Sequence, residues 1–163
     1  MTSPSLPGIA HVIVASTRAA AGEYTDRTGP HIVAWLEHQG FTGVELTVVA
    51  DGDPVGQALR HALGVSPAVI LTTGGTGLAP TDRTPDQTLP LLDRQVPGLA
   101  DAIRAAGLPN VPTAVLSRGV AGVAGRTLIV NLPGSLGGVR DGLAVLEPVL
   151  GHALQQISGG GDH

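Results

Sequence analysis

The chain has 163 residues, 42% of them hydrophobic but only 2% aromatic, so a core must be built from Ala, Val, Leu and Ile. All nine basic residues are arginine, which excludes a P-loop lysine, Schiff-base lysines and pyridoxal phosphate chemistry; without cysteine there is no disulfide framework, thiolate zinc site or Cys nucleophile. A net charge of −4, with scattered arginines and no basic run, argues against nucleic-acid binding through a phosphate-neutralising patch.

The N-terminal "MTSPSLPG" has neither a basic region nor an apolar run, so no signal peptide is expected. The first predicted strand is "IAHVIVAS" (9–16), followed by a helix over "PHIVAWLEHQG" (30–40), with Pro30 near its start and Gly40 at its end. A second strand, "VELTVVA" (44–50), leads to a short helix at 54–63 and a third strand, "PAVILTT" (67–73). After a Gly-rich loop, Thr84 reads as a helix N-cap, Pro85 as the first helical residue and Gln87 as the other half of a capping box. A helix follows at 97–106. The stretch 111–134 holds two or three short strands, with "AGR" (124–126) as a tight turn. Leu136, Val139, Leu143, Leu146, Leu150, Ala153 and Ile157 then recur at helical spacing, and Pro148 should kink or divide that helix. "GGGDH" reads as a frayed tail. No run is long enough to span a membrane, which with the lack of cysteine suits a cytoplasmic protein.

Apolar strands alternating with helices predict an α/β fold whose parallel sheet is covered on both faces. Ligands in such folds sit beyond the carboxyl ends of the strands, where four loops of this chain lie. The loop after the third strand contains Thr73, Gly74, Gly75, Thr76 and Gly77, whose backbone N–H groups could form a concave nest for phosphate. "NLPGS" (131–135) places Pro133, Gly134 and Ser135 at the start of the closing helix, whose dipole also favours an anion. Two such loops point to a phosphorylated ligand.

Among the carboxylates, Asp86 lies in a first helical turn, where the dipole alone favours it. Asp82 precedes the expected cap and is either an Asx-turn residue or functional. In "ADGDP", Asp51 stands nearest the strand end and reads as functional, while Asp53 reads as the cap of the next helix. Ser117 and Arg118 end a predicted strand; Arg118 is either a bidentate phosphate clamp or a surface arginine. The histidines show no metal-ligand spacing, and Trp35 reads as core.

"TTGGTG" followed by "TDRTPD" resembles the signature of the MogA/MoaB molybdenum-cofactor biosynthesis proteins, and "AAAGEYTDRTGP", "PGLADAIR" and "LSRGVAGVAGRTLIVNLPGS" extend the likeness, in the same order, over about residues 8–157. The resemblance implies one domain with a three-layer α/β/α fold and a mostly parallel central sheet, assembled as a homotrimer or sometimes a hexamer. It implies adenylylation of molybdopterin by Mg-ATP, giving adenylyl-molybdopterin and pyrophosphate. It places the essential aspartates, also the candidate Mg²⁺ ligands, on Asp51 and Asp82, and the phosphate- and pterin-binding loops on residues 73–77 and 133–135. Ser16 and Arg18 join the candidate substrate contacts, together with Ser117 and Arg118. Many members read Ser-Asp-Arg where this chain has Ser16, Thr17 and Arg18, so a carboxylate is missing at Thr17. That departure keeps a non-catalytic, MoaB-like binding protein in view; a CinA-like nucleotide hydrolase fits the Gly-rich loop less well.

The residue inventory suits adenylyl transfer. A phosphate monoester has its second pKa near ~6, so it attacks as an anion at neutral pH without a general base. Such a reaction needs positioning and charge neutralisation.

Overall fold

Along Ile9–Ala15 (β1), alternate side chains enter two different cores, which fixes the layering of the molecule. Ala10 and Val12 face one core, whereas Ile13 and Ala15 face the other. The computed structural model describes residues 8–159. The expected frayed tail, apart from Gly159, and the first seven residues lie outside that range.

The other strands are Gly43–Val49 (β2), Val69–Thr73 (β3), Arg94–Gln95 (β4), Ala121–Ala124 (β5) and Thr127–Leu132 (β6). They form one sheet in the order β2-β1-β3-β6-β5-β4. β2, β1, β3 and β6 run parallel; β5 is antiparallel to β6 and to β4. A short helix, Thr17–Ala20 (α1), follows β1, and Thr28–His38 (α2) leads on to β2. Beyond β2 come Asp53–Leu63 (α3), Thr84–Thr88 (α4), Pro97–Gly107 (α5) and Leu136–Ile157 (α6). The main core joins Ile32 and Leu36 of α2, Ile103 of α5 and Val139, Leu143 and Leu146 of α6 to one sheet face. The second core sets Val55, Leu59 and Ala62 of α3 against Ile13, Ile70 and Ile129 on the opposite face. The architecture is the expected α/β/α arrangement with a mostly parallel sheet.

Several local expectations are corrected. The sheet is not covered evenly: β2 is an edge strand with Glu45, Leu46 and Thr47 exposed. Residues 111–134 supply two strands, because Pro112–Leu116 winds into a 3-10 turn packed on Gly107, so Ser117 and Arg118 follow a helical turn and end no strand. β4 has only two residues, too few to leave a periodic signal. Pro148 does not divide α6; it sits on the exposed side, where water can take the carbonyl it leaves free. Asn131 belongs to the buried end of β6 and not to the loop beyond it. Trp35 packs partly buried against the main core, as expected.

The capping box at Thr84 does not form. Arg83 is the N-cap, the Thr84 hydroxyl is buried without a partner, and Gln87 reaches across to Asp53 (Nε2 to Oδ1, 3.2 Å). The Thr84 N–H donates instead to the Gly75 carbonyl at 3.0 Å, so a long-range loop contact displaces the local cap. Likewise Gly52, not Asp53, caps α3: its φ of +92° suits glycine, and Asp53 falls in the first turn.

Candidate functional site

The parallel strands β2, β1, β3 and β6 open their carboxyl ends on one side, and their loops converge there. Ser16 caps α1, its Oγ accepting from the Ala19 N–H at 3.2 Å. That short helix turns Thr17 toward Asp51 at the end of β2. Thr17 donates to Asp51 Oδ2 from its N–H at 3.2 Å and from its hydroxyl at 3.0 Å, while the Asp51 N–H donates back to Thr17 Oγ1 at 3.1 Å. The second oxygen of Asp51, Oδ1, faces Gly75; a Cβ on that glycine would lie 3.1 Å from it.

Residues 73–77 are drawn tight by the neighbouring loops. Thr73 donates its hydroxyl to the Pro133 carbonyl at 2.7 Å, so it ties two loops together. The Gly74 N–H donates to the Leu132 carbonyl, and a Cβ on Gly134 would lie 3.2 Å from Gly74 Cα. Gly74 (φ +92°) and Gly75 (φ +66°) take the left-handed backbone needed here, with no room for a Cβ at either. The N–H groups of Gly75, Thr76 and Gly77 donate to no acceptor among the described residues. Unpaired N–H groups on a tight glycine turn are what an anion nest requires.

Asp82 lies over Gly77, where a Cβ would stand 2.7 Å from its Oδ2. That oxygen accepts from the Ala79 N–H at 3.1 Å, and the Asp82 N–H donates to the Ala79 carbonyl, so Asp82 also shapes its own turn. Arg118 holds this loop from outside. Its N–H donates to Thr76 O (2.8 Å), Nε to Gly77 O (3.1 Å) and Nη2 to Asp82 O (2.6 Å); Nη1 and Nη2 also reach the Asp86 carboxylate at 3.2 and 3.0 Å. The guanidinium considered as a phosphate clamp is therefore engaged by protein acceptors. Asp86 is more than a carboxylate favoured by a dipole: the hydrogen bond from Arg118 holds its pKa below the ordinary value.

Ser117 and Ser135 line a pocket of about 440 Å³ beside the loop, with Thr76, Gly77, Gly134 and Arg104 also in its wall. Ser117 Oγ accepts from the Gly119 N–H, and Ser135 Oγ caps α6 by accepting from the Gly138 N–H. Arg18 lies 5.8 Å from the ring centre of Tyr24, on the exposed rim. A larger cavity, about 760 Å³, lies between β4, α5 and α6, and none of the candidate residues lines it.

Sequence reasoning missed three features. Asp26, one residue before the N-cap Arg27, accepts from the N–H groups of Thr28 and Gly29 and from the Thr28 hydroxyl at the start of α2, and lines a small pocket of about 130 Å³ with Ser16, Thr73 and Gly74. An aspartate ahead of Thr-Gly-Pro was the available signal. Asn131, Thr72 and Thr88 form a buried network beneath the loop, with Asn131 Nδ2 donating to both hydroxyls at 2.9 and 3.1 Å. The hold of Thr17 on Asp51 was also missed, and no local pattern announces a contact spanning 34 residues.

The family model described as "Probable molybdopterin binding domain" matches residues 11–152. The chain belongs to the MogA/MoaB molybdenum-cofactor biosynthesis family. It is 62% identical to the molybdopterin biosynthesis Mog protein of Mycobacterium ulcerans, with a TM-score of 0.91, over 95% of this chain and 99% of that one. It is 37% identical to the molybdopterin adenylyltransferase of Haemophilus influenzae, over 88% of this chain and 75% of that protein. Identity is 42% with the molybdenum cofactor biosynthesis bifunctional protein of Synechococcus elongatus; the match takes in 98% of this chain but only half of that protein. Within the MogA/MoaB family, the chain's role lies in molybdenum cofactor biosynthesis.

Proposed function

We propose that this MogA/MoaB protein adenylylates molybdopterin, using ATP with Mg²⁺ and releasing pyrophosphate. The supporting observation is the pairing of Asp51 Oδ1 with a glycine turn in which the Gly75, Thr76 and Gly77 N–H groups have no acceptor among the described residues. A terminal phosphate oxygen of molybdopterin forms a bond to the α-phosphorus of ATP. The bond from that phosphorus to the bridging oxygen breaks, and pyrophosphate leaves with the electron pair. The incoming phosphate is already anionic, so no side chain has to remove a proton. The N–H groups of Gly75, Thr76 and Gly77 hold phosphate oxygens, and the N-terminus of α6 beside Gly134 and Ser135 adds favourable potential.

Among the described residues no three His, Cys, Asp or Glu side chains converge, so there is no all-protein metal cage. Two carboxylates flanking a phosphate-binding turn suit Mg²⁺, which is usually held by one or two carboxylates together with substrate phosphates and water. Asp51 and Asp82 are the residues that would hold it. When bound, Mg²⁺ neutralises charge on the phosphates. Asp51 and Asp82 orient that charge and act as no base.

Among the described residues no helix is long and apolar enough to cross a membrane, and the proposed reaction belongs in the cytoplasm. The proposed assembly is a homotrimer, or a hexamer built from trimers. Exposed Leu78, Val111, Val115 and Leu116 offer apolar area for self-association, and light scattering at micromolar concentration tests it. Incubating the protein with molybdopterin and Mg-ATP tests the chemistry: mass spectrometry is expected to show molybdopterin carrying one added adenylyl group. Hydrolysis of ATP to AMP without such a product would instead favour a hydrolase.

A further inference from the structure

We propose that Thr17 is the positioning residue for Asp51: it pins one carboxylate oxygen so that the other points into the phosphate-binding turn. The inference rests on the adenylyl-transfer reading and adds a role for a residue that no candidate set contained. Thr17 is exposed and Asp51 is half-buried, so burial does not fix this carboxylate. Hydrogen bonds from a single residue fix it instead. Both donors of Thr17, the N–H and the hydroxyl, converge on Oδ2, and the same hydroxyl accepts from the Asp51 N–H.

Two donors on Oδ2 leave Oδ1 free on the side of Gly75. The restricted χ1 of a β-branched side chain and the first turn of α1 hold those donors in place. A neutral partner leaves the negative charge of Asp51 intact for a cation carried by the phosphates. A second carboxylate in place of Thr17 would repel Asp51 and could not donate to it when ionised.

Thr17→Val keeps the branched shape and the backbone donor but removes the hydroxyl; Thr17→Ser keeps the hydroxyl. We expect Thr17→Val to lower kcat about 10-fold with little change in KM, short of the ~10²-fold cost of a 1 Å misplacement because one donor remains. Thr17→Ser should stay within about twofold of the parent. Adding Thr17→Val to Asp51→Asn should cost less than about a further twofold, because a residue acting only through Asp51 has nothing left to act on. Crystal structures should show the Asp51 carboxylate turned away from Gly75 in Thr17→Val and in place in Thr17→Ser. An undisturbed Asp51 in Thr17→Val, unchanged kcat, or an equal loss in the Asp51→Asn background overturns the proposal. A parent protein without adenylyl transfer overturns the functional reading, and the position of Asp51 in the Thr17→Val crystal then decides the positioning claim by itself.

Discussion

Arg118 forks onto Asp86, with Nη1 3.2 Å and Nη2 3.0 Å from its two carboxylate oxygens. The same side chain holds the carbonyls of Gly77 and Asp82, and the Arg118 N–H holds that of Thr76, so one arginine ties the exit of the glycine turn to the start of α4.

Arg118→Ala should therefore loosen residues 76–86 without unfolding the protein. The ion pair is partly exposed and worth about 0–1 kcal/mol, so the melting temperature should fall by only a few degrees. Amide exchange of residues 76–86 should accelerate, and unchanged exchange would show that the brace is dispensable. The lowered pKa of Asp86 means that its contribution is complete above the ordinary value of 3.8 and is lost as pH falls through the lowered one. Loop exchange relative to the rest of the chain should accordingly not change between pH 6 and 8.

A Cβ on Gly75 would run into the buried hydroxyl of Thr84 and crowd Asp51, at a φ of +66°. Gly75→Ala should lose about 1–3 kcal/mol of stability as well as ligand affinity. Denaturant melts of the two proteins check it; equal midpoints would mean that the turn can relax.

Legibility divides between local and long-range causes. β1, β3 and the core face of α6 were readable because apolar spacing and burial coincide in Val12, Leu71, Leu143 and Leu146. The loops at the strand ends were readable from their glycines. What could not be read was which polar group satisfies which other. Thr84 has the sequence of a cap but is taken by Gly75, and Arg118 looks like an anion clamp but is taken by Asp86. Asn131 resembles a turn residue yet completes a buried strand. Thr17 reads as a missing carboxylate, and its hydrogen bonds to Asp51, 34 residues away, leave no trace in the local pattern.

The Asn131 network should carry stability. Asn131→Ala removes donors to Thr72 and Thr88 and the acceptor for the Val120 N–H, in surroundings with almost no solvent. A loss of ~3 kcal/mol is expected, measured as a lower urea midpoint with an unchanged slope. A change below ~1 kcal/mol would indicate that water enters and replaces the asparagine.

His11 should make the fold acid-sensitive. Burial lowers its pKa from the ordinary 6.5 and outweighs the opposing charge of Glu45, while His61 adds to the lowering. The unfolded chain thus binds a proton more readily than the folded one, and stability falls as pH drops below 6.5 toward the lowered value. His11→Leu should flatten the pH dependence of the melting temperature between pH 7 and 5. A slope equal to that of the parent would assign the effect to other groups.

The most direct measurement is pyrophosphate release from Mg-ATP with and without molybdopterin, in the parent protein and in Asp51→Asn. The account predicts release that requires molybdopterin and falls by about 10² or more in Asp51→Asn, the scale of one lost electrostatic stabiliser, while the variant melts near the parent temperature. Release that ignores molybdopterin, or an Asp51→Asn variant as active as the parent, would contradict it.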